Sequence, residues 1–108
     1  MSQVTTHVLD AALGEPAAGI TVALCAPTGD LIAAGETDAE GRITQLGPDA
    51  LPAGDYRLEF QVGAYFAASG RSTFFHRVTI EFIVANSADQ YHVPLLLSPF
   101  AYSTYRGS

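Results

Sequence analysis

Apolar and polar residues along the chain alternate in short runs, each closed by Gly, Pro, Asp or Asn. The clearest run is Phe75 to Val84. There Val78, Ile80, Phe82 and Val84 share one face, and Arg77, Thr79 and Glu81 share the other. Successive strand side chains point to opposite sides, so this pattern predicts a half-buried strand. Tyr56-Arg57-Leu58-Glu59-Phe60 alternates in the same way. Further β-branched or apolar runs predict strands at Val4 to Leu9, Ile20 to Ala26, Leu31 to Thr37, Arg42 to Leu46, Tyr91 to Leu97 and Ala101 to Arg106. Gly14-Glu15-Pro16 reads as a turn. Pro27-Thr28-Gly29-Asp30 reads as a hairpin turn with a glycine free to take positive φ. Only Val62 to Ser69 leans towards helix, with Gly70 as its stop. The pattern predicts an all-β sandwich of roughly seven or eight strands with one short helix.

Composition limits what such a sandwich can be. A chain of 108 residues that is 48% hydrophobic supports one core, so residues 1–108 are expected to form a single domain. Charged residues make up 15% of it, against about 25% in ordinary soluble domains, which points to apolar surface covered by partner subunits. The net charge is -6 and five arginines are scattered along the chain, leaving no basic patch for nucleic acid or an anionic membrane. There is no lysine, which removes Schiff-base chemistry. Cys25 stands alone in an apolar run and reads as a buried structural thiol. The first residues, Met1 to His7, lack the basic and apolar regions of a signal peptide, and no apolar run approaches the length of a membrane span. The expected location is the cytoplasm.

Phosphate loops, Gly-x-Ser-x-Gly elbows, His-Glu-x-x-His and Cys-x-x-Cys are all missing. The polar groups left without a structural explanation are His7, His76, His92, Arg42 and a hydroxyl-rich ending. On the first strand, His7 alternates onto the face of Thr5 and Leu9. A neutral imidazole can take a proton from water near pH 7, and a guanidinium can stabilise an oxyanion or hold an anionic substrate, so these residue types suit hydrolysis at a carbonyl. Taken singly, a strand histidine is more often a surface or hydrogen-bonded structural residue, His76 above all, and Arg42 is equally at home as a solvated strand start. From Val93 to Tyr105 the chain stays apolar and aromatic, unlike a frayed tail. The last strand is therefore expected to be docked, with Arg106 and Ser108 held in place.

Tyr91-His92-Val93-Pro94-Leu95-Leu96-Leu97-Ser98-Pro99 and Tyr102-Ser103-Thr104-Tyr105-Arg106-Gly107-Ser108 resemble the carboxy-terminal signature of the transthyretin-like 5-hydroxyisourate hydrolases. His7-Val8-Leu9-Asp10 and Thr37-Asp38-Ala39-Glu40-Gly41-Arg42 resemble two further blocks of that family. The resemblance implies a transthyretin-like (prealbumin-like) eight-stranded β-sandwich with one short helix. It implies catalytic roles for His7, Arg42 and His92, with Tyr105, Arg106, Gly107 and Ser108 completing a substrate pocket. It further implies a homotetramer, a dimer of dimers with its sites at the dimer–dimer interface, acting on a small-molecule substrate without metal or organic cofactor. The rival expectation is a non-catalytic transthyretin-like carrier. The chain departs from the family's usual pattern at Gln90, where a histidine is common, and at Phe74-Phe75-His76, where Phe-Phe-Pro is common.

Overall fold

The computed structural model describes residues 1–108, arranged as two facing sheets with one helix. The elements in chain order are β1 (Val4–Asp10), β2 (Glu15–Pro16), β3 (Thr21–Cys25), β4 (Leu31–Glu36), β5 (Arg42–Ile43), β6 (Gly54–Phe60), α1 (Val62–Ala68), β7 (Val78–Val84), β8 (Tyr91–Ser98) and β9 (Ala101–Thr104). The all-β sandwich with one short helix is as expected. Its strands number one more than the expected eight, because Glu15–Pro16, expected as a turn, pairs with Leu9 and Asp10.

One sheet runs β4-β3-β6-β7 and is antiparallel throughout. The other runs β2-β1-β8-β9, with β5 also pairing β1. In this second sheet β1 and β8 lie parallel over their length, from Val4 opposite Tyr91 to Asp10 opposite Leu97. The remaining edge of β1 is shared by β2 and β5.

Alternation decides which side chains fill the space between the sheets. Val4 and Val8 of β1 and Tyr91, Val93, Leu95 and Leu97 of β8 face Val22, Leu24, Leu58, Phe60, Val78, Ile80 and Val84 of the other sheet in one buried cluster. Burying a large aliphatic or aromatic side chain stabilises the fold by about 1.5–3 kcal/mol. The odd positions of β1 and the even positions of β8 are thereby turned outward: Thr5, His7 and Leu9 beside His92, Pro94 and Leu96. Helix α1 sets Val62 and Phe66, one turn apart, into the core.

Five expected strands are shorter in the structure, β3 and β4 by one residue at one or both ends and three others for a visible reason. β7 starts at Val78, not Phe75, because the Phe74 N–H donates to Pro99 C=O (2.9 Å) and the His76 C=O accepts from Gly63 N–H (2.9 Å). The segment is pinned between the β8–β9 turn and the helix. β5 ends at Ile43, not Leu46, since the Leu46 N–H donates to the buried Ser2 hydroxyl (2.7 Å). β9 ends at Thr104, after which the chain returns as a single bridge between Gly107 and His92. The last segment is therefore docked through its backbone, while the side chains of β9 remain exposed.

Under the helix, the fully buried Asp10 carboxylate accepts hydrogen bonds from the Tyr65 hydroxyl (2.8 Å), an Arg71 Nη2 (2.7 Å) and the Leu13 N–H (3.1 Å). Burial pushes its pKa up, but those donors and the Arg71 charge outweigh it and hold the carboxyl below its ordinary 3.8. Cys25 is buried, as expected, and burial followed by the Glu59 charge pushes its thiol up despite Arg57.

Candidate active site

The outward face of the β1–β8 sheet gathers most of the polar groups singled out in the sequence. Parallel register sets Thr5 opposite His92, and the antiparallel β1–β5 bridge sets His7 opposite Arg42. Thr5, Arg42, Thr44, Gln90, His92 and Ser108, together with Thr6 and Met1, line a polar recess of about 200 Å³. His92 and Arg42, widely separated in sequence, thus share one cavity.

Each basic group has a fixed neighbour. The His92 Nδ1 lies 2.8 Å from the Thr5 hydroxyl, and the His92 carbonyl accepts from the Gly107 N–H at 2.8 Å. His7 Nε2 lies 2.9 Å from the carbonyl oxygen of Glu40. A carbonyl only accepts, so Nε2 carries a proton and donates it, which leaves Nδ1 outside this contact. The Glu40 carbonyl is itself placed by a turn. Asp38 Oδ1 accepts from the N–H groups of Glu40 and Arg42, both at 2.9 Å. Gly41 follows at φ 76°, where a Cβ would run into the Val8 carbonyl. The Arg42 N–H, and to a smaller extent that of Glu40 and the nearby Arg42 and His7 charges, lower the Asp38 pKa despite a desolvation cost. Arg42 itself reaches the exposed Glu40 carboxylate only at 3.9 Å, a separation at which a surface ion pair contributes little. Its guanidinium remains available to a ligand.

Electrostatics favour a neutral imidazole at position 92. Burial, then the charges of Arg42 and His7, pulls the His92 pKa below its ordinary 6.5. A neutral, partly buried imidazole beside a guanidinium can accept a proton from water while the cation stabilises negative charge on a carbonyl oxygen. No three His, Cys, Asp or Glu side chains converge in a way that could hold a metal.

The terminal tetrapeptide divides its positions. Ser108 lines the polar recess. Tyr105 and Arg106 line a second, mainly apolar cavity of about 240 Å³ with Ile80, Phe82 and Ile83 of β7, and His92 borders this cavity as well as the polar recess. The Arg106 guanidinium stacks 4.5 Å from the Tyr91 ring and donates to the Gln90 C=O at 3.2 Å. Gly107 contributes backbone only. His76 is exposed beside α1, against Gly63 and Phe74, and takes no part in the recess.

Sequence reasoning did not nominate Thr5, Thr44 or Gln90. Thr5 had a signal, since alternation placed it on the His7 face. Gln90 stood out only as a departure from a family pattern; its Nε2 donates to the Ser2 and Gln3 carbonyls at 2.8 and 2.9 Å, fastening the start of β1 to the start of β8.

Comparison with known proteins agrees with this fold. A family model described as the HIUase/Transthyretin family matches residues 4–107. A 5-hydroxyisourate hydrolase of Caulobacter vibrioides is 46% identical over the full length of both chains. The solved structure of Klebsiella pneumoniae 5-hydroxyisourate hydrolase superposes with a TM-score of 0.91 at 44% identity, covering 100% of this chain and 94% of that one. Transthyretin from Sparus aurata superposes equally well (TM-score 0.92) at 33% identity, covering 99% and 97%.

Proposed function

We propose, from the premise that the chain belongs to the HIUase/transthyretin family, that it hydrolyses 5-hydroxyisourate to 2-oxo-4-hydroxy-4-carboxy-5-ureidoimidazoline in urate degradation. The observation that carries this reading is the convergence of His92, Arg42 and Ser108 on one polar recess, with His7 opposite Arg42 on the same sheet face. The reaction opens the six-membered ring at a cyclic amide. His92, kept neutral by its surroundings, takes a proton from water, and the resulting hydroxide attacks the ring carbonyl. Arg42 stabilises the oxyanion with its fixed fork of donors. Collapse breaks the C–N bond, and the departing nitrogen receives the proton held by His92. His7, with Nε2–H committed to the Glu40 carbonyl, orients substrate or water through Nδ1. Ser108 binds substrate within the recess. Tyr105, Arg106 and Gly107 shape the wall behind it, and no cofactor enters the scheme.

A carrier reading is less well supported, because an open ligand channel gains nothing from a guanidinium and an imidazole that cost energy to desolvate. The assembly that goes with hydrolysis is a homotetramer with sites at the dimer–dimer interface. Free outer edges on β7 and β9 support it, together with exposed Phe74, Ile83, Phe100, Tyr102 and Tyr105 on a chain poor in charge. No helix is long and apolar enough to cross a membrane, and the proposed setting is the cytoplasm.

The test is the decay of freshly generated 5-hydroxyisourate, followed by ultraviolet absorbance. Wild-type protein accelerates it, and His92→Ala, His7→Ala and Arg42→Ala each lose roughly a hundredfold or more. Undiminished rates in all three variants refute the assignment.

A further inference from the structure

We infer that Thr5 and Gly107 are positioning residues that clamp the His92 imidazole from two sides and fix the nitrogen it turns to the recess. The inference rests on the hydrolase reading for its kinetic consequences, but the clamp itself is a statement about one imidazole.

The geometry starts from the parallel register that sets Thr5 beside His92. Thr5 is 5% exposed, and its hydroxyl has one protein partner, the His92 Nδ1 at 2.8 Å. A threonine hydroxyl can donate or accept. If it donates, Nδ1 is the unprotonated nitrogen and Nε2 carries the proton, a form unable to act as a base through Nε2. That hydrogen bond also breaks when the ring gains a proton. If it accepts, Nδ1–H is bound, the Nε2 lone pair, which has no protein partner, is left free, and the same bond persists in the imidazolium. Only the accepting arrangement serves both halves of a proton cycle, so the structure assigns Thr5 as acceptor. β-branching holds Thr5 in few rotamers on a strand, which keeps the hydroxyl in place.

Gly107 closes the other side. Its backbone is not among the glycines of positive φ, so backbone conformation does not require glycine there. Space does: a Cβ would stand 2.5 Å from His92 Cδ2, 3.2 Å from Cγ and 3.2 Å from Pro94 Cγ. The Gly107 N–H meanwhile donates to the His92 carbonyl at 2.8 Å, so the backbone is tied where any side chain would strike the ring. Gly107 therefore acts through His92 rather than on substrate. It gives the family's terminal signature a task at a position that has no side chain.

The experiment is 15N-detected NMR of histidine side chains in the intact protein, combined with kinetics of Thr5→Val, Thr5→Ser and Gly107→Ala. In the wild type, neutral His92 is expected as the Nδ1–H form. Thr5→Val loses that preference, lowers kcat about tenfold, the scale of one neutral hydrogen bond, leaves KM unchanged and displaces the acid limb of the pH profile. Thr5→Ser restores both tautomer and rate, which a purely structural role would not require. Gly107→Ala shifts the His92 resonances and lowers kcat in the same way. A wild-type His92 in the Nε2–H form overturns the inference, whether or not any variant folds. So does a Thr5→Val enzyme with wild-type kcat and pH profile. Absence of hydrolysis by the wild type refutes the proposed function, while the tautomer measurement still decides the clamp.

Discussion

Replacing Tyr65 by Phe removes a single oxygen from the structure and exposes how much the helix depends on one buried carboxylate. Asp10 has no exposed surface and accepts from three donors, of which the Tyr65 hydroxyl, at 2.8 Å, is the one this change deletes. The ring stays, still edge-on to Phe66 at 5.3 Å, so packing is preserved. A hydrogen bond to a charged group contributes about 1.5–3 kcal/mol. The expected loss is therefore about 2 kcal/mol, or roughly 10 °C in Tm for a domain of this size. Urea denaturation at fixed protomer concentration measures it, since assembly couples stability to concentration. The sign of its pH dependence follows from Asp10. A carboxyl held below 3.8 in the fold contributes stability above that value and loses it as pH falls through the lowered folded pKa. Without Tyr65 the folded pKa rises towards 3.8, so the gap between variant and wild type is widest at neutral pH and narrows in acid. A loss under about 0.5 kcal/mol at pH 7, less than a typical net hydrogen bond, refutes the reasoning, as does a gap that fails to narrow.

Three further outcomes follow. With the His92 pKa pulled below 6.5 by burial, Arg42 and His7, the acid limb of kcat/KM lies below pH 6.5; in Arg42→Gln the His92 titration, read by NMR, moves upward because a positive neighbour is gone. Gly41→Ala, at φ 76° and against the Val8 carbonyl, destabilises the protein by more than about 1 kcal/mol and reduces activity by displacing the Glu40 carbonyl from His7, both measurable on one preparation. Sedimentation equilibrium gives a tetramer, and Ile83→Asp on the free β7 edge shifts it to smaller species.

Local pattern carried the sequence reading a long way. The alternation of Val78, Ile80, Phe82 and Val84 marks β7 correctly, and the helix over Val62–Ala68 ends one residue before its expected last residue, Ser69. The errors arise where a distant partner takes over a backbone group: the Ser2 hydroxyl on Leu46, Pro99 on Phe74, Gly63 on His76. Such partners leave no trace in local periodicity. The same holds for the site. His7 and Arg42 could be nominated by residue type and family resemblance, but Thr5 beside His92 requires a register between strands 87 residues apart. The sequence reading also gave all four terminal residues to the substrate pocket. In the structure Ser108 lines the polar recess, while Tyr105 and Arg106 line the adjoining cavity on the other side of His92, a division that residue type alone does not reveal.

That central parallel pair has a consequence for synthesis. The β4-β3-β6-β7 sheet can form once Val84 has emerged from the ribosome, but the other sheet lacks its middle until Tyr91–Ser98 follows. Until then β1 has no long partner, and its residues wait as an unpaired, aggregation-exposed edge. Nascent protein is therefore inert while it is being made, and refolding is governed by a late, long-range closure rather than by local hairpins. Joining residue 108 to residue 1 and opening the chain between β4 and β5 would bring β8 and β1 near each other in sequence and is expected to speed that closure.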